Sequence, residues 1–336
     1  MAVATGSKPF CLSSEFAYLA ASDLFNKISS ATGMVLIDVR SKESYDRMHI
    51  RTAINIDWAS FFQHLSTSDS EPDESHTISY AESKMSSSVK SRFRLRRHFD
   101  VVVYGGNQLS DTQDEGSELV FSFCKALKNE GLVTKSLFVL QGGFASFVES
   151  KSFLVEGHPT CPDVQFIYPS EIIEDFLYLG SYDSASTHQC LTDLGVTHIV
   201  NVTDDCDCPY QAEFQYLQCP VDDYPYSDIS VYFDVATEFI KTAKGIDESA
   251  NNGCVLVHCK MGMSRSSTIV IAYLMKARNW SLKKAYHFVK SKRPFINPNY
   301  GFLKYLQNCE ECIFGTTTIS FPDSSQPSSY KWIDDE

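Results

Sequence analysis

The sequence predicts an α/β protein of two domains, each built on a mostly parallel sheet. Three observations lead there. A chain of 336 residues is long enough for two cores of ordinary size. Short β-branched runs alternate with helical spacing in both halves, as strands and crossover helices of parallel sheets do. Between the halves, KSFLVEGHPTCPDVQFIY at 151–168 carries the Gly and Pro of a connecting segment.

In the first half MVLIDVR (34–40), TAINI (52–56), VVVY (101–104) and SLFVL (136–140) read as strands. ELVFSFCKALKNEGL (118–132) has helical spacing with a glycine near its end. The polar stretch STSDSEPDESHTISYAESKMSSSVKS (66–91) has too few apolar residues to pack alone and is expected to be a flexible insertion. In the second half FLYLG, THIVNV, QYLQCPV and CVLV read as strands. SASTHQCLTDLG, VYFDVATEFIKTA, residues 267–278, residues 281–291 and GFLKYLQNCEECIF read as helices. These readings set domains at 15–155 and 168–314, a linker at 156–167 and a flexible tail at 315–336.

A net charge of −13 argues against general binding to nucleic acid or to an anionic membrane. The 11 cysteines are odd in number and scattered. Cys206/Cys208 and Cys309/Cys312 each resemble half of a metal site, but nothing is placed to complete either, and they read as ordinary thiols. The first residues lack the charged and apolar regions of a secretory signal, and no segment approaches the 18 or so apolar residues of a membrane span. A reduced, cytoplasmic protein is expected, with the nucleus as a second address.

The most informative stretch is LVHCKMGMSRSS at 256–267. A loop that leaves a buried strand and enters a helix presents unpaired backbone N–H groups, here of Lys260, Met261, Gly262, Met263, Ser264 and Arg265, which suit a phosphate dianion. Arg265 can lay its fork across the same anion. Gly262 permits tight curvature, and Cys259 at the base is a competent nucleophile for phosphorus. A phosphoester also needs a proton for its leaving oxygen. CPVDDYPYSDI offers Asp222, Asp223 and Asp228, which the residues alone do not separate.

His258, Cys259, Gly262, Arg265 and Ser266 match the HCxxGxxR[ST] signature, and the chain from Tyr168 to Phe314 resembles the dual-specificity branch of the cysteine-dependent protein phosphatases, especially the MAP kinase phosphatases. The resemblance implies that Cys259 is the nucleophile, Arg265 holds the phosphoryl group and Ser266 bonds the sulfur. It makes Asp223 the acid, His258 a support of the loop and Asn299, in RPFINPNYGF, a brace behind it. It implies no cofactor and no metal. The distance from Asp223 to Cys259 runs a few residues long, with the excess in GIDESANNG (245–253).

MVLIDVRSKESYDRMHIRTAINID, VVVYGGNQLS and LFVLQGGFASF resemble a rhodanese-type domain through Asp38 and Arg40, His49 and Ile50, and Gly142 and Gly143. Where active rhodaneses carry sulfur on a cysteine, this chain has Gly105, which cannot hold a persulfide. Just before that strand, VKSRFRLRRHF supplies Lys90, Arg92, Arg94, Arg96 and Arg97, a docking surface for an acidic groove or a solvated edge strand guarded by arginines. The resemblance points to docking, with a phosphorylated protein, a MAP kinase, as partner. The two-domain layout also resembles the STYX-like pseudophosphatases, which implies a phosphoprotein-binding scaffold as the alternative; the retained Cys259 departs from them. Hydrolysis of a phosphoinositide or an RNA 5′-phosphate is a third reading on the same fold.

Overall fold

The computed structural model describes residues 16–30, 33–61, 74–106, 115–244, 253–321 and 330–333. It divides into two compact units, Met1–Asp163 and Val164–Glu336. The first unit holds strands β1 (Ala17–Leu19), β2 (Met34–Asp38), β3 (His49–Ile50), β4 (Ile54–Asn55), β5 (Asp100–Tyr104), β6 (Leu137–Leu140) and β7 (Val155–Glu156). Five of them form a wholly parallel sheet in the order β1-β6-β5-β2-β4. β2 and β5 are buried at every position after their first. That is why MVLID and VVVY read as continuous apolar runs rather than as alternation. β3 and β7 pair antiparallel, which returns the end of the unit to its middle.

The expected flexible insertion is corrected by the structure. Residues 66–73 lie outside the described residues, but Glu74–Lys84 and Ser87–Arg94 are helices. Ile78, Ala81 and Phe93 are at most 1% exposed and belong to the core of the unit. Three apolar anchors are too sparse to show as a period, yet they suffice when the sheet supplies the other side. The same helix, followed by a short 3₁₀ turn at Leu95–Arg97, replaces the edge strand weighed for VKSRFRLRRHF.

A second anchor is ionic. Arg96 is fully buried. Its guanidinium donates to Glu82 Oε2 at 3.0 Å and to both oxygens of Glu130 at 2.5 and 3.0 Å. It also donates to the Phe93 carbonyl at 3.1 Å and lies 3.9 Å from the centre of the Phe93 ring. Burial works against the charge of Glu82, but hydrogen bonds from Arg94 and Arg96 outweigh it and hold the carboxyl below its usual range. Arg96 is therefore not part of a docking surface.

The chain expected to link the domains begins fastened to the first unit. Arg51 donates to the Pro162 carbonyl at 2.7 Å and to the Cys161 sulfur at 3.0 Å.

The second unit holds β8 (Ser170–Ile173), β9 (Leu177–Ser181), β10 (Val196–Asn201), β11 (Gln215–Gln218) and β12 (Cys254–Cys259) in the order β11-β10-β12-β9-β8. All neighbours are parallel except β8 on β9. The central strand β12 is buried throughout. The helix Arg265–Arg278 that follows is buried continuously from Arg265 to Met275. A helix apolar on every side belongs in the middle of a core, and STIVIAYLM fills that place. Residues 245–252 of GIDESANNG lie outside the described residues.

The expected flexible tail is also corrected where it is described. β13 (Ile319–Ser320) and β14 (Lys331–Trp332) pair antiparallel. Trp332 packs against Tyr286 and His287 with ring centres 5.0 and 5.2 Å away, so three aromatic rings fix a segment whose polar composition reads as loose. Among the described residues no helix is long and apolar enough to cross a membrane.

Replacing Arg96 with Ala strips the Glu130 carboxylate of this cation and leaves Glu82 with Arg94 alone, which costs about 3–5 kcal/mol. Urea denaturation is expected to show that loss for Arg96→Ala and a change within about 0.5 kcal/mol for the exposed Arg97→Ala.

Candidate active site

The site begins with the register of β12. Its His258 lies opposite Asn201 of β10 and Gly180 of β9, and Cys259 lies opposite Ser181. Both flanks of the strand are paired, so the thiol emerges at a fixed point on the carboxyl edge of the sheet. The chain then turns back sharply. Gly262 has φ +71°, and a Cβ there would lie 2.5 Å from the Gly180 carbonyl oxygen and 2.6 Å from Arg293 Nη2. Conformation and space both demand glycine at this point.

The turn wraps the sulfur. Gly262 N–H donates to Cys259 Sγ at 3.2 Å and Ser266 Oγ donates to it at 3.1 Å. The helix opens immediately afterwards, and its serine and threonine hydroxyls bond backwards to carbonyls. Ser267 Oγ donates to Met263 O and Ser264 O, and Thr268 Oγ1 to Ser264 O. These bonds hold the junction in shape and leave the N–H groups of the first turn facing the loop.

Arg265 is 7% exposed and anchored by one hydrogen bond, from Nη1 to the Val221 carbonyl at 3.0 Å. Its buried Nε–H has no hydrogen-bond partner among the described residues. A buried cationic donor in that condition gains most from an anion. Asp223 Oδ2 stands 3.7 Å from the same Nε, outside hydrogen-bond distance.

Of the three aspartates offered by CPVDDYPYSDI, Asp223 is the one brought to the loop. Its Oδ1 accepts from Ser264 Oγ at 2.7 Å and from Asn299 Nδ2 at 2.9 Å. Asp222 is exposed. Asp228 accepts from the amide and hydroxyl of Ser230 and caps the turn there. Asn299 has more than one task. Its Oδ1 caps the helix Tyr300–Phe314 by accepting from Phe302 N, its Nδ2 holds Asp223, and its backbone N–H donates to Ser264 Oγ.

Arg293 was not singled out in the sequence, although it opens the quoted run RPFINPNYGF. It is 6% exposed, donates from Nε to the Gly262 carbonyl at 2.9 Å and from Nη1 to Ser170 Oγ at 3.1 Å. Burial lowers its pKa to about 10, so it keeps its charge at neutral pH behind the loop. Only its place in that run could have drawn notice, since a lone arginine gives no sign of which way it faces. Lys260 turns its ammonium outward to Asp205 at 2.9 Å, so its backbone and not its side chain belongs to the loop. Met261 is 65% exposed beside it. Among the described residues no cluster of His, Cys, Asp and Glu is arranged to hold a metal ion.

Residues 177–312 match the family described as dual specificity phosphatase, catalytic domain, and residues 21–150 match the rhodanese-like domain. The chain is 29% identical over 331 residues to a probable rhodanese domain-containing dual specificity protein phosphatase of Dictyostelium discoideum, covering 86% of this chain and 68% of that one. It is 34% identical over 309 residues to human dual specificity protein phosphatase 16, covering 88% of this chain but 44% of that longer protein. Among solved structures, human DUSP28 is 34% identical over 43% of this chain and 94% of its own, with a TM-score of 0.40.

His258 is 1% exposed and, among the described residues, neither ring nitrogen has a hydrogen-bond partner. Burial pushes its pKa down from 6.5 to about 4, so the folded protein holds it neutral. The unfolded chain takes up that proton first. The contribution to stability is therefore full above pH 6.5 and is lost as pH falls toward 4. It amounts to roughly 3 kcal/mol at about 1.4 kcal/mol per pH unit. Urea denaturation at several pH values is expected to show this slope, and His258→Gln is expected to flatten it.

Proposed function

The chain carries a dual specificity phosphatase catalytic domain with a rhodanese-like domain ahead of it, and from that premise we propose that it dephosphorylates a phosphoprotein through a cysteinyl-phosphate intermediate. The convergence of Cys259 Sγ, the unpartnered Nε of Arg265 and Asp223 Oδ2 carries this reading.

In the first step Cys259 sulfur attacks phosphorus as a thiolate. The S–P bond forms while the bond to the leaving oxygen breaks, and the Asp223 carboxyl gives its proton to that oxygen. The backbone N–H groups of residues 260–265 and the Arg265 guanidinium hold the other phosphoryl oxygens, whose charge spreads in the transition state. In the second step water attacks the phosphocysteine, Asp223 takes the water's proton, and the sulfur departs as thiolate with inorganic phosphate released. Two donors already aimed at the sulfur, from Gly262 and Ser266, suit an atom that carries negative charge when it attacks and when it leaves. Arg293 keeps the Gly262 carbonyl turned away from the anion.

The first domain serves recognition in this reading. Gly105 and Gly106 form a turn whose carbonyls accept from Phe144 N, with no thiol for sulfur transfer at that position. Lys90, Arg92, Arg94 and Arg97 lie on the helix and turn before it, flanked by exposed Leu95 and Phe99. Such a surface fits an acidic groove with apolar recesses, and a doubly phosphorylated MAP kinase is the proposed substrate.

Hydrolysis is to be measured on that kinase and on an aryl phosphate. Cys259→Ser is expected to abolish turnover of both while the kinase still binds. Asp223→Ala is expected to slow kinase dephosphorylation by about 10²- to 10⁴-fold. Wild-type rates in both variants, or tight capture of the kinase by the wild type without phosphate release, would sink the reading; the second result would favour a scaffold. Charge reversal at Arg92 and Arg97 is expected to lower the ratio of kcat/KM on the kinase to that on the aryl phosphate by about tenfold, the size of a 1.4 kcal/mol loss of docking.

A further inference from the structure

The loop that carries Asp223 rests on the first turn of the helix Tyr300–Phe314, and the contact is backbone against backbone. A Cβ built on Gly301 would lie 1.7 Å from the Pro225 carbonyl oxygen, 2.5 Å from its carbonyl carbon and 2.7 Å from its Cα. None of these atoms can move aside by a change of rotamer. The φ of Gly301 is not in the left-handed region, so room, not conformation, is what glycine supplies there. Glycine inside a helix costs about 1 kcal/mol against alanine, a cost the close seat explains.

One of the two partners would have to yield to a larger residue, and the helix is the firmer. Phe302, Leu303 and Leu306 are at most 2% exposed, and Asn299 caps the helix while its N–H is fixed to Ser264. The loop is the softer partner, with Tyr224 52% and Tyr226 79% exposed on either side of Pro225. Asp223 stands two residues before that proline. Its Oδ1 is gripped at 2.7 and 2.9 Å by Ser264 and Asn299. A loop displaced by about 1 Å lengthens such bonds past their useful range.

We infer that Gly301 is a positioning residue for the proton donor: by seating the Pro225 carbonyl it holds Asp223 where its carboxyl can protonate the leaving oxygen. The inference rests on the phosphatase reading given above and assigns Gly301 no contact with substrate.

The test exploits the chemistry of the leaving group. A basic leaving oxygen needs its proton during bond breaking, whereas dinitrophenolate departs with little help. The full chain and Gly301→Ala are compared on phenyl phosphate and dinitrophenyl phosphate. The variant is expected to lose about 10- to 100-fold in kcat/KM, which reports the step that expels the leaving group, on phenyl phosphate and much less on the dinitrophenyl ester. The same substitution in an Asp223→Asn background is expected to add little, because the residue it positions has been disabled. Equal losses on both esters, no loss on either, or a full loss that persists without Asp223 would overturn the inference while leaving the phosphatase reading intact. Failure of the unmodified chain to hydrolyse either ester would overturn both. Should the alanine chain not fold, Pro225→Gly loosens the same seat from the loop's side, and the same difference between esters is expected of it.

Discussion

The catalytic half depends on one strand being paired along both edges. β12 is bonded to β10 on one side and β9 on the other as far as its last residues. It has no freedom to slide, since a slip of one residue would turn Cys259 to the opposite face. The thiol's position is therefore a property of the whole sheet. The tight turn, the helix start and the hydroxyls that bond back to Ser264 follow from that fixed point. Asp223 comes from a separate segment and meets the loop through Ser264 and Asn299.

Three buried arginines show how the same side chain takes different work from its neighbours. Arg96 is matched by two carboxylates and serves the core of the first domain. Arg293 is matched by two carbonyls and a hydroxyl, retains its charge, and shapes the loop from behind. Arg265 is the least satisfied of them, with one carbonyl, the Asp223 carboxylate at 3.7 Å and an Nε–H that has no hydrogen-bond partner among the described residues. Incomplete pairing costs stability in the core, a cost that the anion-holding role proposed for it would explain.

The two-domain α/β class was legible because buried parallel strands announce themselves, and MVLID, VVVY, THIVN and CVLV all lie on the observed sheets. The loop from His258 to Ser266 was legible for another reason: its chemistry depends on residues close in sequence. What lay hidden depends on distant residues. The approach of Asp223 to the loop is made by Ser264 and Asn299, and the inward turn of Arg96 is made by Glu82 and Glu130. Similarly, Ile78, Ala81 and Phe93 gain a core only once the sheet faces them, and the tail residue Trp332 finds its partners in Tyr286 and His287. A local pattern cannot report a partner far along the chain.

The burial of Arg96 also bears on the docking proposed for this helix. Arg94 and Arg96 face Glu82 and Glu130, so these four charges cancel at short range. Beyond a Debye length of about 8 Å in physiological salt, the field of this helix comes chiefly from Lys90, Arg92 and Arg97. Steering of an acidic protein toward it is weaker than a run of five cations implies. In the proposed docking the encounter rate would accordingly vary less with ionic strength, and the lifetime of the complex would rest more on the exposed Leu95 and Phe99 than on charge.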